Sequence, residues 1–263
     1  MVVAFRRECS TLKTRKDIPL YFLSILFWLV LWQLAAIKLD KELFLPTPSQ
    51  VILVFWKTLL FSKKFWASVI SSFFHIGIGF ILGFTIGVFL AACSYLYKPI
   101  HILLWFPIKI IKAVPVASFV ILSLLWMKSS SLAIFIPFLM VLPILYLHTL
   151  MALEQTDPKL IEMAKLFHVS IKNQVLFLYL PQILPSILSA CSLAAGMAWK
   201  SGIAAEIIVL SKHSIGNQIY QAKIYLVTPE LFAWSFVVIL FSIGWEQLFY
   251  LIGKILLKEI KEK

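Results

Sequence analysis

The sequence is short of charge, and shortest of acid. Of its 263 residues 14% are charged, with 12 aspartates and glutamates against 24 lysines and arginines. A soluble domain carries about a quarter charged residues, so this chain is not one. Cysteine is scarce as well. Cys9, Cys93 and Cys191 stand far apart, with neither a disulfide framework nor metal-ligand spacing. The two inside apolar runs read as small buried hydrophobes. No G-x-x-x-x-G-K-[ST] loop occurs, so the chain is not itself expected to hydrolyse nucleotide. H-E-x-x-H and G-x-S-x-G are missing, and His75, His101, His148, His168 and His213 share no ligand-like spacing. An intramembrane hydrolase therefore has no support, and no catalytic residue, cofactor or metal is expected. A pump's internal row of acids is missing too, since only Glu206 and Glu246 lie deep in apolar runs. No strand-length alternation repeats, which argues against a transmembrane β-barrel.

What the sequence has is hydrocarbon: 61% of residues are hydrophobic and the mean hydropathy is +0.95. Apolar runs of about 20 residues recur, the length a helix needs to cross a hydrocarbon core of about 30 Å. They predict an all-α membrane protein with six transmembrane helices, at 18–37, 66–95, 100–127, 132–153, 183–210 and 230–252. A basic block at 1–17 precedes the first and a lysine-rich tail at 254–263 follows the last. The first run is too long for the core of a cleavable signal peptide. The net charge of +12 does not indicate nucleic-acid binding, because the basic residues flank apolar runs. Lysine and arginine so placed orient spans and meet anionic lipid. An even number of spans and the basic excess put both termini in the cytoplasm of a multi-pass cell-membrane protein.

Between the first two spans, Pro46 and Pro48 lead into a stretch too brief to cross, with Ser49 as a candidate cap for an interfacial helix. Gly79, Gly83 and Gly87 share one helical face and predict a close seam, inside the subunit or across a dimer. Lys109 and Lys112 fall within the third apolar run, where a charge faces protein, water or a headgroup. Snorkelling accounts for Lys109, whereas Lys112 divides between snorkelling and a polar route. Lys200 and Glu206 are six residues apart, too far for a pair on one helix, so each should meet a partner elsewhere or in a cavity. Glu206 reads either as a pathway group or as half of a structural ion pair. Residues 211–229 read as a polar loop.

One segment, 157–181, is amphipathic. Asp157 can cap a helix and Pro158 suits its first position. Ile161, Ala164, Phe167, Ile171, Val175 and Leu178 follow at the spacing of one stripe, among Lys159, Glu162, Lys165 and Lys172. Pro181 and Pro185 are expected to break the helix. The reading is a short helix outside the bilayer, docked on a partner and joined to a span.

This segment resembles the cytoplasmic loop of ABC importer permeases, E-A-A, three residues, G, nine residues, I-x-L-P. Glu162, Met163 and Ala164 stand at the E-A-A positions, His168 at the glycine, and Leu178, Leu180 and Pro181 at I-x-L-P. Met163 and His168 depart from the pattern. Phe44-Leu45-Pro46-Thr47-Pro48 and the A-W-x5-A-E run from Ala198 through Trp199 to Glu206 are similar to the sulfonate, nitrate and taurine branch, as is a basic residue before an x-x-P turn, Lys112 to Pro115. The resemblance implies a type I importer fold with a coupling helix between spans four and five. It also implies a separate ATPase subunit, an extracytoplasmic solute-binding protein and a homodimer in lipid. Residues 162–164, 168, 178, 180 and 181 would couple to the ATPase, and Lys112, Pro115, Trp199, Lys200 and Glu206 would line or gate the pathway. A rival reading from another class is a secondary transporter or channel that uses Lys112, Lys200 and Glu206 as its polar route. A third is a non-transporting membrane scaffold.

Overall fold

The structure, a computed structural model, describes residues 18–39, 41, 43–59 and 61–261. The basic block at 1–17 and the last two residues of the predicted tail lie outside the described residues. Among those described there is helix and turn but no strand. In chain order the helices are α1 (Ile18–Leu39), α2 (Pro48–Val54, continued by a π-helical turn Phe55–Leu59), α3 (Lys63–Leu96), α4 (Lys98–Ala113), α5 (Val116–Ser123) and α6 (Ser129–Glu154). Then follow α7 (Pro158–Leu166), α8 (Ile171–Val209), α9 (Ile215–Ile224) and α10 (Thr228–Lys261). Helices α1, α3, α6, α8 and α10 are each long and apolar enough to cross a membrane.

The remaining span is broken. Helices α4 and α5 meet at an angle of 104°. With 16 and 8 residues, they reach only about 24 and about 12 Å, so neither crosses about 30 Å alone. The break falls at Val114, whose extended backbone (φ −82°, ψ 131°) is what a following proline imposes. Pro107, Pro137 and Pro143, by contrast, sit inside continuous helices.

The prolines expected to stop the helix after the amphipathic segment do not. Helix α8 runs through both Pro181 and Pro185. The turn before Pro181, Gln174–Tyr179, is π-helical. Its wider i→i+5 pattern leaves room for a ring that lacks an N–H and would crowd the carbonyl four residues back.

The chain forms two compact units. The larger, Ser62–Gln221 with Trp234 onward, has α6 at its centre, buried along most of its length. On α3 the buried face is one stripe: Ser68, Ser72, Ile76, Gly79, Gly83, Gly87, Ala91 and Ser94. The glycine seam lies inside the subunit, against α6. A Cβ on Gly83 would stand 2.8 Å from Val141 Cβ and 3.0 Å from Phe138 O, and one on Gly87 2.9 Å from Leu142 O. Gly202 brings α8 into the same junction, where a Cβ would meet Ile76 Cγ1 at 2.6 Å. Tyr146 on α6 donates to Ser94 Oγ (3.1 Å). Aromatic pairs join α3 to α10, among them Phe73–Trp245 and Phe80–Phe249, each 4.7 Å between ring centroids.

The smaller unit takes residues up to Phe61 with Ala222–Ala233. Here Thr47, not Ser49, caps α2, in a capping box. Gln50 N donates to Thr47 Oγ1 at 3.4 Å, and Thr47 N to Gln50 Oε1 at 2.9 Å. Trp32 Nε1 donates to Pro46 O (3.1 Å), and Thr228 Oγ1 to Leu43 O (2.8 Å).

Candidate functional site

Helix α7 is short because both its ends are strongly specified. Asp157 caps the start, its Oδ1 accepting from Lys159 N at 2.9 Å, and Pro158 opens the first turn. At the other end Val169 N donates to Ala164 O (3.0 Å) and His168 N to Lys165 O (3.1 Å), the paired bonds of a Schellman motif. That motif requires a left-handed residue immediately after the cap, and His168 has φ 50°. The position at which the resembled pattern carries glycine is thus one where glycine has a backbone reason to be. The single amphipathic rod expected through Pro181 is instead a helix, a tight reversal at Phe167–Ser170, and the start of α8.

One side of α7 holds it in place. Ala164 is buried, as is Thr156 just before the cap. Asp157 N donates to Gln182 Oε1 (3.2 Å) and Gln174 Nε2 to Val169 O (2.7 Å), fastening both ends of the segment to the base of α8. Tyr179 packs edge-on against Tyr95 of α3, with ring centroids 6.1 Å apart. The other side is bare. Met163 is 48% exposed, Leu166 77%, Phe167 76% and Ile171 80%, beside exposed Glu162, Lys165 and Lys172. Phe167 and Ile171 were expected to share the stripe of Ala164; the reversal turns them outward. Leu178 is half-buried and Leu180 exposed, and Pro181 lies in the first turn after the π segment.

The intramembrane candidates do not converge. Glu206 is completely buried and belongs to a polar cluster between α3, α8 and α9. Its Oε2 accepts from Ser72 Oγ at 2.7 Å and from Gly216 N at 3.2 Å, and its Oε1 lies 3.5 Å from His75 Nδ1. Ser72 Oγ in turn accepts from Ile215 N (2.9 Å), and Gln218 Nε2 donates to Ser68 Oγ (3.3 Å). The loop expected at 211–229 therefore contains α9, whose first N–H groups are satisfied by a carboxylate and a serine from other elements. Gly216 is pressed against the α8 backbone, where a Cβ would stand 2.6 Å from Ile207 N.

Trp199 is also buried, stacked on Phe241 (5.5 Å) and edge-on to Trp245 (6.3 Å). Lys200, next in sequence, is exposed, and so are Lys112 and Pro115 at the α4–α5 bend. Among the described residues Glu206 with His75 is the one contact between a carboxylate and a basic side chain within 4.0 Å. Lys109 lies over the Trp105 ring, its Nζ 4.1 Å from the centroid, a cation–π contact. The sequence reading missed Ser68, Ser72, His75 and Gly216. A signal existed: Ser68 and Ser72 fall one turn apart in an apolar helix, on the face that continues through Gly79, Gly83 and Gly87.

The fold and site together define a polytopic helical membrane protein, with a short capped helix before α8 and a buried polar cluster at its far end. The chain belongs to the family of binding-protein-dependent transport system inner membrane components, which matches residues 79–261. It is 26% identical over 208 residues to the putative aliphatic sulfonates transport permease protein SsuC of Bacillus subtilis, covering 78% of this chain and 74% of that protein. Its identity to the protein of the same name in Escherichia coli is 30% over 199 residues, 75% of each chain. Against the nitrate import permease protein NrtB of Synechococcus elongatus it is 23% over 202 residues, 72% of this chain and 71% of that one. The chain is thus an ABC importer inner-membrane permease, all-α and multi-pass. The stand-alone carrier or channel and the inert scaffold are set aside by that membership.

Proposed function

We propose that this permease draws small anionic solutes through a homodimeric bundle in lipid, coupled at α7 to a separate ATPase and supplied by an extracytoplasmic binding protein. The observation that carries the reading is the bare side of α7. Met163, Leu166, Phe167 and Ile171 form an apolar patch, ringed by charge, on a helix whose opposite side is anchored through Ala164. Contiguous exposed apolar surface outside a membrane marks a protein contact. A helix transmits force only if its contact energy differs between the partner's two nucleotide states, and α7 is fastened to α8 at both ends, so displacement of one moves the other. On this reading Glu162 and the patch face the ATPase, Ala164 seats the helix on its own bundle, and both termini are cytoplasmic. Exposed Lys112 and Lys200 favour anionic cargo, in keeping with the sulfonates and nitrate for which the relatives are named.

The test is uptake and ATPase co-purification. Glu162→Lys and Phe167→Asp should abolish ATP-dependent uptake and release the ATPase from the purified complex, while membrane levels stay at those of the parent. Retention of both uptake and the ATPase by both variants would remove α7 from the coupling role.

A further inference from the structure

The polar cluster around Glu206 is not used by the coupling argument, and a static pin would not call for its chemistry. Buried charge is weak evidence for stability, since apolar side chains of similar volume often hold a junction as well or better. The glycine seam between α3 and α6 is a joint of close-packed small residues, with no charged side chain at Gly79, Gly83 or Gly87. The joint at α9 is made differently. Ser72, His75, Glu206, the N–H groups of Ile215 and Gly216, and the Ser68–Gln218 bond form a patch in which water could take over each contact. Such contacts suit a surface that opens to water.

The backbone supplies joints on either side. Leu210 (φ 53°) and His213 (φ 54°) precede α9, and Leu226 (φ 56°) follows it. Of the four non-glycine residues with positive φ among the described residues, three bracket this helix and the fourth is His168. Helix α9 is thereby set off from α8 and α10 by left-handed breaks in the backbone. Helix α8 carries α7 before its start and α9 after its end, separated by 39 residues or about 58 Å of helix.

We propose that α9 is a lid over the extracytoplasmic end of the pathway, and that the Glu206 carboxylate is its latch, released and remade in each transport cycle. The proposal rests on the permease reading above for its sidedness. Glu206 is a positioning residue: it does not touch cargo, and it sets the lid through Ser72 and the Gly216 N–H. Gly216 permits closure, because any side chain there would meet the α8 backbone.

The experiment uses the full complex in a background free of the three native cysteines. Ser68→Cys with Gln218→Cys, bridged by a short bifunctional methanethiosulfonate, should abolish uptake, because a lid held shut takes the open state out of the cycle. Reductant should restore it, and either single variant treated alike should keep its uptake. Full uptake by the bridged protein would overturn the lid. In a separate arm, Ser214→Cys, at a position fully buried with the lid shut, is labelled by a membrane-impermeant maleimide. Adding Glu206→Gln should speed labelling about tenfold, as loss of a charge-assisted hydrogen bond implies; an unchanged rate would overturn the latch. Failure of the permease reading is separately visible, because the cysteine-free parent would then show no ATP-dependent uptake before any bridging.

Discussion

His168 occupies a backbone position that prefers no side chain. A left-handed conformation costs an L-residue about 1–2 kcal/mol, and glycine returns about 0.5–1 kcal/mol of that through its greater freedom when unfolded. His168→Gly should therefore stabilise the protein by roughly 0.5–1 kcal/mol, raising the thermal midpoint in detergent by roughly 2 °C. A fall in midpoint would mean that the exposed imidazole makes a contact worth more than the strain. The spacing of the E-A-A pattern pointed at this residue from sequence alone, but only the paired bonds to Ala164 and Lys165 say why a glycine belongs there. Glu206 was legible in the opposite way. Its isolation in an apolar run marked it as consequential, yet its partners Ser72 and His75 lie 134 and 131 positions away. No local pattern could connect them, so the sequence left pathway group and structural pair as alternatives and could name no partner for either.

Among the elements, those written in a local period were readable and those set by competition were not. The four-residue glycine spacing on α3 predicted a close approach; that the partner is α6 of the same subunit needed coordinates. Gly83→Val tests the seam. Its branched side chain would drive into Val141 and the Phe138 carbonyl, and overpacking of this kind costs about 1–3 kcal/mol. The variant should reach the membrane at reduced level and unfold at lower temperature, whereas Ile81→Val, on the exposed face of the same helix, should match the parent. Equal stability of Gly83→Val would show that α3 and α6 separate more easily than their packing implies. The prolines teach the converse lesson. Pro115 ends α4 because Val114 turns extended, while Pro181 is absorbed into α8 after the π turn at Gln174–Tyr179 and Pro185 sits inside the continuing helix. A proline in an apolar run is thus no reliable stop, since Pro107, Pro137, Pro143 and Pro185 all sit inside helices.

At the scale of the whole molecule, the question is which flank of the bundle meets lipid. Glu246 on α10 and Lys200 on α8 are exposed at neighbouring levels: Ser192 Oγ donates to Glu246 O at 3.2 Å, a Cβ on Gly196 would lie 3.4 Å from Glu246 Oε2, and Lys200 is one turn further along. Charges this deep in apolar helices face protein or water, not acyl chains. Exposed Leu193 and Met197 share that flank, and on a single copy they resemble the exposed phenylalanine at Phe89 on α3. The charges separate the two surfaces. If two copies assemble, the α8 flank should be the one covered by the partner or open to the aqueous pathway, and the Phe89 side should face lipid. A cysteine at Met197 should then cross-link between copies or react with a water-soluble maleimide, while a cysteine at Phe89 should react only with a lipid-borne reagent. The reverse pattern would place Lys200 and Glu246 against hydrocarbon with no partner, a cost large enough to exclude the homodimeric arrangement proposed for this permease.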